Sequence, residues 1–269
     1  MPETIVNSHP MIVLFVLLTG IMCVALFWFG ILYKLIHRND TQWEGTRFLA
    51  SFFTIIGALL GLILAMVLVT IWQNYQEEKE HITSEVSSYT NAYRELEDLP
   101  GEVQDTARLY LKETVKYIIH DSWMQMAKGE EGVREKESLE RLIAYISRVS
   151  EDNENIKLTR RNILEKLEFA SDRRRSRNLK GVTDMIPEVM WWVIGVCSVI
   201  SILCGFFFPI RPARLHAILV SMHSAMIGII IYLILVMMYP YRAPNPITPA
   251  QFEKLLNKTL PQIDREQGR

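Results

Sequence analysis

Four long stretches that are almost free of charge constrain this chain more than any other feature. A run of about 18 or more apolar residues is typical of a transmembrane helix, because about 20 residues at 1.5 Å each cross the hydrocarbon core. The four runs extend from Met11 to His37, from Phe48 to Trp72, from Val189 to Ile210 and from Leu215 to Tyr241. We therefore predict a multi-pass integral membrane protein.

The spacing of the four runs predicts the organisation of the chain. The first two and the last two are each joined by a short loop, which favours two helical hairpins. We divide the chain into a first transmembrane hairpin (1–73), an extramembrane helical bundle (74–186), a second transmembrane hairpin (187–241) and a tail (242–269). The predicted fold class is an all-α membrane protein with four transmembrane helices in two hairpins and an inserted helical bundle.

The inserted segment is rich in Glu, Lys and Arg and carries apolar residues at helical spacing. Pro100-Gly101 and the stretch 128–132 are expected to separate its helices, and another helix is expected from Ile156 toward Arg177. We predict amphipathic helices that continue from the second span and into the third. The basic run 173–177 is interpreted as a solvated face or a contact with lipid headgroups.

Composition argues against several functional classes. The 29 basic and 30 acidic residues leave a net charge of −1, which gives no support for nucleic-acid binding. The three cysteines all lie in apolar runs, so neither a disulfide framework nor a zinc site is indicated. No phosphate-binding glycine loop, H-E-x-x-H or C-x-x-C motif occurs, and the six histidines are not at metal-ligand spacing. We predict no enzymatic activity and no cofactor.

The second span has two neighbouring faces made of small or short side chains. Small residues at four-residue intervals let helix backbones approach closely in lipid, and here they are Gly57, Gly61 and Ala65. The adjacent face, polar at its start and small in its middle, is formed by Ser51, Thr54, Ala58 and Leu62. This face either lines a narrow pore or belongs to tight packing within one subunit. As a pore lining it would form an apolar constriction, which can gate by dewetting.

The fourth span carries polar side chains in the middle of the membrane. Ser221, His223 and Ser224 lie there, and ionisable groups at this depth usually face a protein interior or a water-filled path. Two interpretations remain open for His223, an interhelical hydrogen bond and a functional role. A transporter with a site near His223 is a further possibility.

Several short motifs, in this order along the chain, resemble a known family. The segments are Ile71-Trp72-Gln73-Asn74-Tyr75-Gln76-Glu77, Asp121-Ser122-Trp123, Pro187-Glu188-Val189-Met190-Trp191, Tyr239-Pro240-Tyr241 and Ile247-Thr248-Pro249-Ala250-Gln251-Phe252. They look like the bestrophin-like domain family of bacterial and plant membrane proteins, over the region from about Phe48 to Phe252. That family is distantly similar to bestrophins, which are pentameric ion channels with a cytosolic helical domain between two membrane hairpins.

The resemblance to bestrophins implies a pore position for part of the second span. If Trp72 to Tyr75 correspond to the segment that follows the bestrophin neck, then Thr54, Ala58 and Leu62 occupy neck positions. No bulky aromatic residue occurs at these positions, which implies a wider or displaced constriction. Some bestrophins bind calcium through an acidic run after the last span, but residues 242–246 contain no carboxylate, so no calcium site is expected.

Orientation is not determined by charge alone. Basic residues flank the spans on both sides. The positive-inside rule counts short loops best, and applied in this way it mildly favours the inserted bundle outside, whereas the raw count of basic residues near the spans favours it inside. By resemblance, both termini and the inserted bundle lie in the cytosol, and the protein lies in the bacterial inner membrane.

Two functional hypotheses follow. The first is a homo-oligomeric ion channel, pentameric by resemblance, in which the second span lines the pore and the bundle forms a cytosolic vestibule. The partners of such a channel are membrane lipids, a permeant ion and further copies of the chain. The second is a membrane scaffold or sensor that conducts nothing, in which Gly57 and Gly61 pack the hairpins and the bundle binds a partner or headgroups.

Overall fold

The computed structural model describes residues 10–36, 46–150, 153–182, 186–208, 210, 212–242 and 246–267. Every regular element within these ranges is helical, which confirms the all-α fold class. Four of the helices are long and apolar enough to cross a membrane, as the sequence predicted. The chain divides into two compact units, one formed by residues 1–74 and 184–239 and the other by residues 75–183 and 240–269.

The first unit contains the apolar helices. They are α1 (Pro10–Ile36), the apolar part of α2 (Thr46–Glu95), α7 (Glu188–Phe206) and α8 (Ala213–Met238). A buried apolar cluster joins α1, α7 and α8 through Ala25, Phe29, Phe206 and Val220. Residues 37–45 of the short loop, which the sequence placed between the first two spans, lie outside the described residues.

A glycine permits the close packing of α1 against α8. A Cβ atom at Gly228 would lie 2.9 Å from Leu18 Cδ2 and 3.2 Å from Ile21 Cδ1. Both distances are shorter than ordinary carbon–carbon contacts, so a larger residue at this position would require the Leu18 and Ile21 side chains to shift. The sequence analysis had looked for such an approach in the second span and not at Gly228.

Helix α2 is longer than a membrane is thick. Its 50 residues extend about 75 Å, whereas the hydrocarbon core is about 30 Å thick. The segment from Phe48 to Trp72 contains no charged residue, and charged residues begin at Glu77. The membrane-spanning part of α2 therefore ends near Trp72, and the part from Tyr75 onward belongs to the second unit.

The second unit is a bundle that includes both the inserted segment and the C-terminal residues. After the polar part of α2 come a 3₁₀ turn (Leu96–Asp98), α3 (Gly101–Tyr117), a π turn (Ile118–Ser122), α4 (Trp123–Lys128), α5 (Val133–Ser147) and α6 (Glu154–Val182). The C-terminal elements are α9 (Ala250–Lys254), a π turn (Leu255–Thr259) and α10 (Leu260–Glu266).

The helix breaks predicted within the inserted segment are confirmed. Helix α3 begins at Gly101 after an extended Leu99 and Pro100, and α5 begins after the predicted break at 128–132. Gly129 ends α4 with φ of 82°, a left-handed conformation that glycine adopts without steric cost. Helix α6 covers the predicted helix from Ile156 toward Arg177.

Two details of the domain division predicted from the sequence differ from the structure. The inserted bundle is not one continuous helix with the third span, because α6 ends at Val182 and Pro187 caps the start of the separate helix α7. The C-terminal segment is part of the bundle unit, whereas the sequence division had made residues 242–269 a separate tail. Its apolar side chains explain the difference, since Phe252, Leu255 and Leu260 are buried.

Candidate functional site

The membrane part of α2 has one face buried within the chain. The buried side chains are Leu60, Leu64, Val67 and Ile71, which recur at intervals of three and four residues, as expected for one side of a helix. Near the start of the same helix, the Phe53 ring packs against Phe208 in an edge-on contact with 5.3 Å between centroids. These contacts determine which side of α2 faces away from its own chain.

The predicted pore-lining residues lie on that outward side. Ser51, Thr54, Ala58 and Leu62 are all exposed in the single chain, and 59% of Leu62 is accessible. Ala58 and Leu62 each lie two residues from the buried Leu60, which places them about half a turn away on a helix. The face that the sequence singled out is thus opposite the face that α2 buries.

The two hydroxyl groups at the start of this face are bonded to the helix backbone. Ser51 Oγ donates to the Arg47 carbonyl at 3.1 Å, and Thr54 Oγ1 donates to the Ala50 carbonyl at 2.9 Å. Each hydroxyl oxygen retains lone pairs that can accept hydrogen bonds from water. The outward face therefore changes from polar at Ser51 to apolar at Leu62, and it carries no charge.

Gly57, Gly61 and Ala65 do not form a tight contact within the chain. A Cβ atom added at Gly57 or Gly61 would meet nothing within 4 Å among the residues that the structure describes, and Ala65 is exposed. The interpretation that these residues pack against another helix of the same subunit therefore finds no contact here. They present instead a shallow, open flank beside the outward face.

A second, bulky flank lies on the other side of the outward face. Its side chains are large, apolar and exposed, and they alternate at three- and four-residue intervals: Phe48, Phe52, Ile55, Leu59, Met66 and Val69, with Leu62 in the same series. An average spacing of 3.5 residues is that of helices that pack side by side along their length. Helix α2 thus combines a smooth flank and a bulky flank around a charge-free face.

The polar residues of the fourth span are bonded within the chain. Ser221 Oγ and Ser224 Oγ each donate to the carbonyl four residues earlier, at 2.8 Å. His223 Nε2 lies 2.9 Å from Ser201 Oγ of α7, and its ring lies 5.4 Å from that of Phe53. The structure thus contains the interhelical hydrogen bond that was one of the two interpretations of His223.

A second histidine of the same helix, His216, is also hydrogen-bonded to α7, and the sequence analysis did not identify it. His216 is buried, and its Nε2 lies 2.9 Å from the Gly205 carbonyl, so this nitrogen carries the hydrogen. Together with His223 it lines a hollow of about 380 Å³ beside Phe53 and Phe208. The seven-residue separation of His216 and His223, two helical turns, was the available sequence signal.

The second unit buries a charged cluster around Arg177. Arg177 is fully buried and donates to both carboxylate oxygens of Glu85 at 3.0 and 3.2 Å and to Glu135 at 2.5 Å. Its guanidinium also lies 5.0 Å from the centre of the Trp123 ring. The interpretation of the run 173–177 as a solvated face is therefore wrong for Arg177 and for the buried Arg174, because the helix turns these two side chains into the bundle.

Buried charge alters the acid–base properties of this cluster. Burial raises the pKa of Glu85 to about 7, although the neighbouring Arg177 charge acts in the opposite direction. Burial also lowers the pKa of Arg177, but the charges of Glu135 and Glu85 outweigh it and raise that pKa above its usual range. Tyr241 donates to a carboxylate oxygen of Glu78, and burial raises the pKa of the Tyr241 hydroxyl.

The sequence motifs that carry the family resemblance converge on this cluster. Trp123 Nε1 donates to the Ile247 carbonyl at 2.8 Å, and the Trp123 ring lies 5.6 Å from the rings of both Tyr241 and Phe252. These residues come from three separate motifs of the sequence. Within this unit, the shared motifs thus form a buried core.

The Arg177 guanidinium lies at the centre of this cluster. Among the described residues, no group of three or more His, Cys, Asp or Glu side chains is arranged to hold a metal ion. A cationic guanidinium occupies the position between the Glu85 and Glu135 carboxylates. The geometry is that of a buried ion-pair network that joins α2, α5 and α6.

Fold and motifs together define a four-span, all-helical membrane protein with a bundle built around a buried arginine. The chain belongs to the bestrophin-like family, because the model of the Bestrophin-like domain matches residues 21–252. Among curated proteins, none matches the sequence.

Solved structures show the same fold at low sequence identity. A bestrophin homolog from Klebsiella pneumoniae, solved with zinc-based phasing, has 12% identity and a TM-score of 0.67, with 94% of this chain and 98% of that chain covered. Two single-substitution variants of the Klebsiella pneumoniae homolog each give a TM-score of 0.68. One has 11% identity, with 94% of this chain and 99% of that chain covered, and the other has 10% identity, with 98% of this chain and 100% of that chain covered.

Proposed function

We propose that this chain is one subunit of a homo-oligomeric ion channel, pentameric by resemblance to bestrophins, in which the outward face of α2 lines the pore. The observation that carries the proposal is the position of Ser51, Thr54, Ala58 and Leu62. They lie opposite the face that α2 buries in its own chain, and they are exposed. A helix that lines a central pore must present one face that its own subunit does not cover.

The two flanks of α2 support self-association. In a ring, each subunit contacts its two neighbours through different surfaces, so the two sides of one helix should be complementary rather than identical. The open flank at Gly57 and Gly61 offers space, and the bulky flank at Phe52, Leu59 and Met66 offers side chains that fill space. Small residues at a helix contact favour close approach in lipid.

The pore chemistry that we propose is polar at one end and apolar further along. Water can hydrogen-bond to the oxygens of Ser51 and Thr54, whereas Ala58 and Leu62 would form an apolar constriction that gates by dewetting. Because this face carries no charge, ion preference would come from other residues. The permeant ion would cross the bacterial inner membrane, in which the oligomer is surrounded by lipid.

Recording from purified protein in planar bilayers tests this proposal. Ala58→Trp should reduce single-channel conductance by about tenfold or more, because an indole would fill a constriction of small residues. The matched control is Val196→Trp, at an exposed position of α7 outside the outward face of α2. Assembled Ala58→Trp protein with wild-type conductance would exclude α2 as the pore lining, and an assembled wild-type ring that passes no current would favour the scaffold hypothesis.

A further inference from the structure

The first unit contains an open-sided cleft that the proposed channel does not use. It has a volume of about 650 Å³ and is bounded by α1, α7 and α8. Its lining includes Gly20, Ala25, Trp28, Val199 and Phe206. Apart from the Trp28 indole and the Ser198 hydroxyl, the side chains that line it are hydrocarbon. A cleft of 300–1,000 Å³ with mostly apolar walls is typical of sites for small ligands.

Ser198 is the polar exception in this cleft. It is 7% exposed, and its Oγ has no hydrogen-bond partner among the residues that the structure describes. Other hydroxyls of the spans behave differently: Ser221 and Ser224 bond to the backbone four residues earlier, and Ser201 pairs with His223. An unpaired hydroxyl in an apolar environment destabilises the protein, so a partner supplied from outside the chain would be stabilising.

We propose that this cleft binds a lipid-soluble small molecule with a hydrocarbon body and a carbonyl oxygen that accepts a hydrogen bond from Ser198. The apolar walls favour the hydrocarbon body. The Ser198 hydroxyl is covered by the cleft wall and rotates about χ1 to donate to the carbonyl. Water is a poor occupant, because a buried water needs two to four polar partners and the cleft offers few. The open side of the cleft lies among membrane-spanning helices, so a ligand can enter from the lipid phase.

Benzophenone is a suitable probe, since it has an apolar body and one carbonyl, and light couples it covalently to nearby C–H bonds. Irradiation of the protein in lipid nanodiscs, followed by peptide mass spectrometry, should place adducts on the cleft segments of α1, α7 and α8. Diphenylmethane has the same two rings without the carbonyl and should compete more weakly. Adducts spread evenly over all lipid-facing helices would overturn the proposal.

Two substitutions separate the cavity from the hydroxyl. Gly20→Leu fills the cleft, and a Cβ at this position meets nothing within 4 Å among the described residues, so the helix tolerates it. Gly30→Leu is the matched control on the same helix, also in open space but outside the cleft lining. We expect Gly20→Leu to abolish saturable labelling and Gly30→Leu to preserve it. Equal labelling in both variants would contradict the site.

Ser198→Ala tests the hydrogen bond. It should weaken benzophenone binding about fivefold, the value of one hydrogen bond, and leave the weaker competition by diphenylmethane unchanged. Ser221→Ala, which removes a hydroxyl bonded to its own helix, is the control. Unchanged benzophenone affinity in Ser198→Ala would overturn the proposed recognition. These readouts measure binding alone, so they are independent of whether the protein conducts ions.

Discussion

At the scale of single residues, Arg177 joins four helices of the bundle. It pairs with Glu85 of α2 and Glu135 of α5 from its position on α6, and it lies against Trp123 at the start of α4. Removing one partner of a buried ion pair leaves an uncompensated charge, which costs about 3–5 kcal/mol. The sequence analysis interpreted this arginine as part of a solvated face or a lipid-headgroup contact because it belongs to a charge-rich run.

The first prediction follows from that burial. Arg177→Met keeps much of the side-chain volume but leaves Glu85 and Glu135 without their cation, so it should lower the midpoint of thermal unfolding of detergent-purified protein by several degrees. Arg175→Met, at an exposed position of the same helix, should change the midpoint little. Equal midpoints for the two variants would mean that the ion-pair network contributes no stability.

The second prediction concerns pH. Glu85 is surrounded by Arg177, Glu135 and Glu78, and burial raises its pKa from 4.5 to about 7 in the folded protein. Between about pH 4.5 and about pH 7 the folded state therefore holds a proton that the unfolded state has lost. The resulting stabilisation is fully present below about pH 4.5 and is lost as the pH rises to about 7. Thermal stability should fall between about pH 4.5 and about pH 7, with the steepest change between these two pKa values, and should level off at higher pH.

Glu85→Gln isolates this contribution, because glutamine stays neutral at every pH. The variant should show a smaller loss of stability over the same pH range than the wild type, while Glu80→Gln, at an exposed position of the same helix, should follow the wild type. If the wild type and Glu85→Gln lose stability in parallel, another group is responsible for the pH dependence.

At the scale of elements, α2 shows what the sequence can and cannot predict. The charge-free run from Phe48 to Trp72 predicts a membrane span, and the helical spacing after it predicts a bundle helix, so both parts of α2 could be anticipated. The outward position of Ala58 could not, because it depends on which side Leu60 and Leu64 bury against the rest of the chain. Periodicity identifies a face but not its neighbours.

The buried cluster was missed for a related reason. Glu85, Glu135 and Arg177 belong to segments distant in sequence, and each looks like an ordinary surface charge in its own helix. Only tertiary packing brings them together. The aromatic motifs around Trp123, by contrast, were detectable, although the sequence revealed their family and not their shared position.

The third prediction belongs to the flank of α2. Gly61→Leu should reduce the fraction of assembled oligomer, measured by size-exclusion chromatography with light scattering, because a leucine fills the open flank that we propose a neighbouring subunit occupies. Gly195→Leu on α7 introduces the same side chain at another exposed glycine with open space around it and should assemble normally. An unchanged mass for Gly61→Leu would show that this flank is not a subunit contact.

At the scale of the whole molecule, the C-terminal segment and the inserted bundle belong to one compact unit. Tyr93 of α2 donates to Asp264 of α10 at 2.7 Å, and Arg108 and Lys112 of α3 donate to the same carboxylate at 3.1 and 2.9 Å. Burial raises the pKa of Asp264, but the hydrogen bonds from Tyr93 and Lys112 and the charges of Lys112 and Arg108 together lower it. Two segments held by such contacts must lie on the same side of the membrane.

The fourth prediction uses that constraint to determine orientation. In a variant without Cys23, Cys197 and Cys204, a cysteine at exposed Ser87 (Ser87→Cys) and one at Glu266 (Glu266→Cys) should both react with a membrane-impermeant maleimide only after the inner membrane is opened. Pro212→Cys, in the short loop before α8, should react in intact spheroplasts. An intervening hairpin returns the chain to its starting side, so labelling of Ser87→Cys and Glu266→Cys from opposite sides would contradict the fold itself. Labelling of both in intact spheroplasts would reverse the orientation and leave the fold unchanged.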